Sequence, residues 1–283
     1  MQLSIDCGLS NVKLAYATAR GSVTATATFP SRQPVDGDQL RALLAVEHKQ
    51  PADFARIVVT GGQSANLPDQ LDGVMLTKIG EVEAVGRGGL ALVREELLRQ
   101  APRSALVVSC GSGTAMIAAR RAEVRHSTGS AVGGGTLAGL GRLLLGTPNV
   151  HEIDALAQRG DPSKLDLTVL DATGGSFAAL PADTTAVNFG KLAYAERTAE
   201  HSREDLAAAL VTMIAQTIAM VAINAARAER LPMIVLVGFL PSLPSMTLQL
   251  NRVAGWFGAR VAIPARGGYA TAVGALIAAN RMR

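Results

Sequence analysis

Four residues near the start of the chain have the types and spacing of a phosphate site. In "IDCGLSNVK", Asp6 closes an apolar run, Gly8 allows a tight turn, Ser10 offers a hydroxyl, and Lys13 brings a positive charge on the next run. A carboxylate so placed suits Mg2+, which proteins hold through water and one or two acids. Its plain alternative is an Asp that bonds its own hairpin turn. The same layout returns in "CGSGTAM", where Gly111, Ser112 and Gly113 sit between two apolar runs. A third stretch, "VRHSTGSAVGGGTLAGLGRLL" from Val124 to Leu144, places Gly133, Gly134, Gly135 and Thr136 ahead of an apolar helical pattern. Such a run serves either a close helix contact or a loop whose N–H groups, with a helix N-terminus behind them, hold phosphate. Neither short turn fits GxxxxGK[ST] or GxGxxG, which disfavours a P-loop or dinucleotide-binding site.

The elements that must carry these turns follow from periodicity. Short strands are expected over Leu3–Ile5, Lys13–Tyr16 and Val23–Phe29, then a helix over Asp38–Glu47, a buried strand over Arg56–Thr60 ending in Gly61-Gly62, and a helix over Ile79–Gln100. The pattern then restarts with strands at Ala105–Ser109, Met116–Ala119 and from Val124. Helices are expected from Gly133, over Glu152–Gln158, and over a long span from Ser202 to Arg230. The doubly buried strand Met233–Gly238, a helix over Ser245–Phe257, the strand Arg260–Ile263 and a helix over Tyr269–Ala279 complete the chain. Two matching halves, 1–103 and 104–283, each opening on a hairpin-rich strand unit, predict a duplicated α/β fold with a cleft between the halves.

Composition narrows the function classes. The 283 residues are 48% apolar with a formal net charge of +4, and aromatic residues make up only 4%. That balance suits a protein handling small anions and disfavours a base-stacking nucleic-acid surface. Cys7 and Cys110 lack metal-ligand or CxxC spacing and read as buried thiols. The first residues read as a strand rather than a secretory leader, so a cytoplasmic location is expected. Ala207–Ala226 is long and apolar enough to span a bilayer, but Thr212, Gln216, Thr217 and Asn224 interrupt it, and Ser202 with Asp205 makes an N-terminal cap. A buried central helix and no membrane partner are expected.

Several stretches together resemble the type II pantothenate kinases. Asp6, Gly8, Ser10 and Lys13 resemble that family's first turn, "VVSCGSGTAMI" its second, and "TGSAVGGGTLAGLGRLLLG" its glycine-rich loop and helix. "LDATGG", "ALPADTTAVNFGKL", "SREDLAAALV" and "GGYATAVGALIA" continue the likeness in order to the end of the chain. The resemblance implies an actin-like, duplicated ribonuclease-H-like fold, a homodimer, and ATP- and Mg2+-dependent phosphorylation of pantothenate in coenzyme A biosynthesis. It also implies that Gly111–Gly113 and Gly133–Thr136 approach the nucleotide phosphates and that Asp6 holds the metal. In "KIGEVEAVGRGG", Glu81 resembles the family's catalytic glutamate, judged together with Arg87 and Gly88; Glu83 points elsewhere on a helix. The bland alternative is a solvated glutamate favoured at a helix start.

The chain departs from that pattern where the family carries an arginine before the "TGS" segment. His126 holds this register and Arg125 lies one residue earlier. Either a bulge turns Arg125 inward or His126 faces the acceptor, since a shift of one residue in a strand changes faces. Pro241, Pro244 and Gly267 also differ from the family's usual residues. These departures leave open a kinase for pantetheine or a sugar, and a catalytically weak nucleotide- or acyl-CoA-binding regulator.

Overall fold

The computed structural model describes residues 1–31, 34–98, 102–178, 180–194 and 201–282. Its first sheet contains β1 (Gln2–Cys7), β2 (Asn11–Ala17), β3 (Val23–Pro30), β4 (Arg56–Thr60), β5 (Gln70–Leu71) and β6 (Val74–Lys78), in the spatial order β3-β2-β1-β4-β6-β5. β1 to β3 form an antiparallel meander, and β4 then runs parallel beside β1. The second sheet repeats this plan. β7 (Ser104–Cys110), β8 (Thr114–Arg120) and β9 (Val124–Ser130) form the meander, and β12 (Ile234–Gly238) lies parallel to β7 with β13 (Val261–Ala262) outside it. A small pair, β10 (Leu167–Thr168) with β11 (Thr185–Val187), stands apart. The restart read from the sequence is this duplication.

Alternation along the strands divides each sheet into two faces. Leu3, Ile5 and Cys7 of β1 pack with Leu40 and Leu44 of α1 (Gly37–Val46), whose start is capped by Asp36 accepting from the Gln39 N–H at 2.9 Å. The other face, with Ala15, Ala17 and Val58, receives α8 (Ala270–Arg281). In the second sheet, Leu106, Val108, Met116 and Ala118 pack beneath α6 (Arg203–Ala228), with α3 (Gly134–Leu145), α4 (Val150–Ala157) and α7 (Pro244–Trp256) in the same core. Val107, Ile117 and Ala119 face the opposite way, toward α2 (Glu81–Leu97). A short helix, α5 (Val169–Thr173), accompanies the small strand pair.

The two sheets are joined where α2 and α8 cross. A β-carbon on Gly88 would stand 2.6 Å from the Ala270 carbonyl carbon, and one on Gly274 would stand 2.8 Å from that of Ala84. Only glycines let the two backbones meet so closely. α2 thus follows the first sheet in sequence but packs on the second, and α8 does the converse. The helical reading over Ile79–Gln100 begins correctly at α2; Gln100 lies outside the described residues. Burial accounts for the long apolar helix. α6 is the one described helix long and apolar enough to cross a membrane, and 67% of that stretch is buried in the protein.

Candidate active site

Asp6 lies at the cleft end of β1, opposite Lys13 on β2 and Thr60 on β4. It is only 8% exposed. Gly61, just after β4, adopts φ +91°, and a β-carbon there would fall 2.7 Å from the Asp6 Oδ1. Glycine is therefore required on two counts, for its dihedral and to leave room for the carboxylate. Thr271, in the first turn of α8, hydrogen-bonds Asp6. Burial pushes the Asp6 carboxyl up to about 7, against the lowering pull of Lys13, and the nearby Glu81 adds to the rise. Glu81 is the first residue of α2, and a β-carbon on Gly62 would lie 3.7 Å from its Oε2. Burial raises the Glu81 carboxyl as well. The two acids therefore flank the Gly61-Gly62 turn.

The two short turns face each other across the cleft. Gly8 donates its N–H to Asn11 O at 3.1 Å, and Gly111 donates to Gly113 O at 2.9 Å. Ser10 Oγ and Ser112 Oγ meet at 2.9 Å, joining residues 102 positions apart. The glycine-rich loop docks directly on the second turn. Gly134 donates to Gly111 O at 2.8 Å and Gly135 to Ser112 O at 2.9 Å. Gly133 donates to Thr136 Oγ1 at 3.2 Å, and Thr114 Oγ1 donates to Val132 O at 2.8 Å. A β-carbon on Gly133 would stand 2.6 Å from Ser112 O, which explains why the run is glycine. These three N–H groups serve the loop's own packing.

Two further segments border the second turn. Phe239 donates its N–H to Cys110 O at 3.2 Å, bringing the tight turn Leu240–Ser242 beside the glycine loop, with Pro241 inside it and Pro244 as the first residue of α7. Gly267–Tyr269 forms another tight turn leading into α8, and Tyr269 Oη accepts from Thr28 Oγ1 at 3.0 Å. Thr28 is opposite Lys13, so a second hydroxyl contact bridges the halves beside the Asp6–Lys13 row. No local sequence pattern marks Tyr269, Thr271 or Thr28 as site residues. Cys7 and Cys110, next to the two turns, are buried free thiols whose titration burial pushes up to about 12.

A bulge in β9, just after the Arg125–His126 pair, decides which face each of the two takes. His126 is opposite Ile117 and Thr128 is opposite Met116, leaving Ser127 as the extra residue. Arg125, opposite Ala118, turns to the α6 face, where its Nη2 meets Glu229 Oε2 at 2.5 Å. His126 shares the face of Ile117, on which α2 packs, and its Nε2 lies 3.7 Å from the position of a β-carbon on Gly129. The bulge thus turns His126, not Arg125, to the side of the sheet that carries Glu81. Arg87 has a supporting place: it pairs with Glu83 at 2.7 Å and donates to Arg121 O at 2.8 Å, fixing the β8–β9 turn to α2.

Repeated sheets with turns opposed across a cleft, tied by crossing helices, define the actin-like ATPase fold. The solved structures agree. An activator of 2-hydroxyisocaproyl-CoA dehydratase from Clostridium difficile with bound ADPNP matches with a TM-score of 0.63 at 15% identity, covering 99% of this chain and 94% of that one. A ROK family glucokinase from Streptomyces griseus, in complex with glucose and AMPPNP, matches with a TM-score of 0.58 at 12% identity, covering 99% of both chains. The Fumble family profile matches residues 38–278. A type II pantothenate kinase of Oceanobacillus iheyensis is 31% identical over 238 residues, 84% of this chain and 83% of that protein. One from Bacillus cereus strain G9842 is 26% identical over 237 residues, 83% and 82% of the two chains. The chain belongs to the Fumble family, that of the type II pantothenate kinases.

Proposed function

We propose that this chain transfers the terminal phosphoryl group of ATP to the primary hydroxyl of pantothenate, forming 4'-phosphopantothenate, the first step of coenzyme A biosynthesis. The observation that carries the reading is the convergence of Asp6 and Glu81 on one glycine turn, beside two serine turns that touch at 2.9 Å. Glu81 is the general base. A carboxyl raised by burial holds a proton more strongly, and a base near the operating pH takes a hydroxyl proton most effectively. Ser10, Lys13 and Ser112 line the phosphate path, and the backbone of Gly8, Gly111, Gly113 and Gly133–Thr136 shapes the turns and loop that border it, aligning donor and acceptor. His126 faces the acceptor.

Asp6 fits Mg2+. It is a buried carboxylate whose charge Lys13 offsets only in part, at the mouth of the phosphate turns, and Mg2+ needs one or two acids besides phosphates and water. Bound there, the ion would neutralise charge on the transferring phosphates. Residues 1–103 and 104–283 are the two halves by sequence, with α2 and α8 exchanged in packing. We also infer a homodimer in the cytoplasm, without nucleic-acid or membrane partners. The partly exposed stripe Met213, Thr217, Met220 and Val221 on α6 supports the pairing, since an apolar helix face left open favours a second copy.

The test is purified protein with ATP, Mg2+ and a panel of pantothenate, pantetheine and hexoses, the products identified by mass spectrometry. Phosphate gained only by a hexose would replace the proposed acceptor. ATP binding without transfer to any acceptor would favour a regulator.

A further inference from the structure

Glu229 stands where a carboxylate has no reason to be for the helix's own sake. It is the C-cap of α6, where the helix dipole disfavours negative charge. Its side chain is only 12% exposed. Three side chains gather on it. Ser127 Oγ donates to its Oε1 at 2.7 Å, Arg125 Nη2 donates to its Oε2 at 2.5 Å, and Arg120 Nη2 donates to its backbone carbonyl at 2.9 Å. The Ser127 hydroxyl, with the Arg125 and Arg120 guanidinium groups beside the carboxylate, holds its carboxyl below the ordinary range. Ser127 is the bulge residue itself, and Arg125 is the residue two before it.

The pairing shows what the bulge decides. From the cleft end, Ser130 is opposite Thr114, Gly129 opposite Ala115, and Thr128 opposite Met116. Continued without a bulge, that register would set Ser127 against Ile117, His126 against Ala118, and Arg125 against Ala119. Ala118 faces α6, whereas Ile117 and Ala119 face α2. A regular β9 would therefore turn Arg125 to the α2 face and bury His126 toward α6, because one residue of slip exchanges faces. Glu229 is bonded to both residues that must stay on the α6 face for the opposite outcome.

We propose that Glu229 is a positioning residue of the acceptor site, fixing the β9 bulge so that His126 rather than Arg125 faces the cleft. This rests on the pantothenate kinase reading for its kinetic consequence, and on the register alone for its structural one.

Histidine-labelled full-length protein carries four histidines, and His126→Gln identifies the resonance of interest in a two-dimensional NMR spectrum. Glu229→Ala should move that resonance. It should also raise the Michaelis constant for pantothenate by about tenfold or more while leaving that for ATP unchanged, as expected when an acceptor-facing group shifts by an ångström. Glu229→Gln, which keeps an oxygen for one partner, should fall between the parent and the alanine variant. Ser127→Ala removes a single bond and serves if Glu229→Ala does not fold; it should produce the same changes, smaller. An unmoved His126 resonance in a folded variant overturns the proposal, whatever the kinetics do. Should the parent phosphorylate no pantothenate, the functional reading falls, and the resonance still decides the role of Glu229.

Discussion

Replacing Gly88 with alanine tests whether the crossing of α2 and α8 sets the distance between the two acids. A β-carbon at Gly88 would lie 2.6 Å from the Ala270 carbonyl carbon and 3.0 Å from the Gly274 nitrogen, where ordinary contact begins at 3.4 Å. The Ala270 carbonyl oxygen stands closer still, and all the obstructing atoms are backbone, so the helices must part by more than about 1 Å, a strain of the overpacking kind that costs roughly 1–3 kcal/mol or more. For a chain of this size that corresponds to a fall of about 2–10 °C in Tm. The functional effect should exceed the loss of stability. α2 begins at Glu81 and α8 carries Thr271 against Asp6, so parting them moves Glu81, the proposed base, relative to Asp6. A displacement of that size costs up to about a hundredfold in turnover. Single-turnover transfer measured well below the Tm separates the two effects. Gly139→Ala, in α3 with no atom within 4 Å of the added carbon, is the control. It should stabilise the protein by about 0.5–1 kcal/mol through helix propensity and leave transfer unchanged. Gly88→Ala protein with parental Tm and parental turnover would refute the role given to the crossing.

Two further outcomes follow from the same geometry. Gly133→Ala places a carbon 2.6 Å from Ser112 O and 2.7 Å from the Gly113 Cα, so it should push the glycine loop off the second turn and weaken ATP binding at least about tenfold in calorimetry, with the fold retained; unchanged ATP affinity would detach this loop from the nucleotide. Asp6 titrates near 7 when folded and near 4 when unfolded, so the folded state binds the extra proton. Without nucleotide or divalent cation, stability should be greatest at or below about pH 4 from this group and fall as pH rises toward 7, by a few kcal/mol in order of magnitude. Asp6→Asn should flatten that slope in denaturant titrations; an unaltered slope would assign it elsewhere.

Much of this architecture is legible in the sequence, because its signals are local. Arg56–Thr60 is β4 as read, and both meanders, the glycine-opened α3 and the Ser202-capped α6 appear within a few residues of their expected limits. The β5–β6 hairpin is absent from the strands expected above, although Asp72-Gly73 between Leu71 and Val74 is a strong hairpin signal, and both residues take positive φ, 50° and 81°. The short β10, β11 and α5 have too few residues to show a period. In the site, the residues of the two turns are visible as glycine, serine and acid. What sequence does not carry is their meeting. The Ser10–Ser112 contact spans 102 positions, and Thr28 with Tyr269 spans 241. The sequence poses the choice between Arg125 and His126, but one extra residue in a hydrogen-bond ladder decides it, and that residue, Ser127, is bonded to a glutamate 102 positions further on. No pattern within β9 reveals either.

In the proposed reaction, phosphate transfer to pantothenate depends on Glu81 as the base. The most direct test follows 4'-phosphopantothenate formation by parent and Glu81→Gln protein, with ATP affinity measured on both. The parent should convert ATP and pantothenate to product in equal amounts. Glu81→Gln should bind ATP as the parent does and lose about a hundredfold or more in turnover, because an amide cannot accept the hydroxyl proton. Near-parental turnover in Glu81→Gln, with the loss appearing instead in Glu83→Gln, would contradict the site described here.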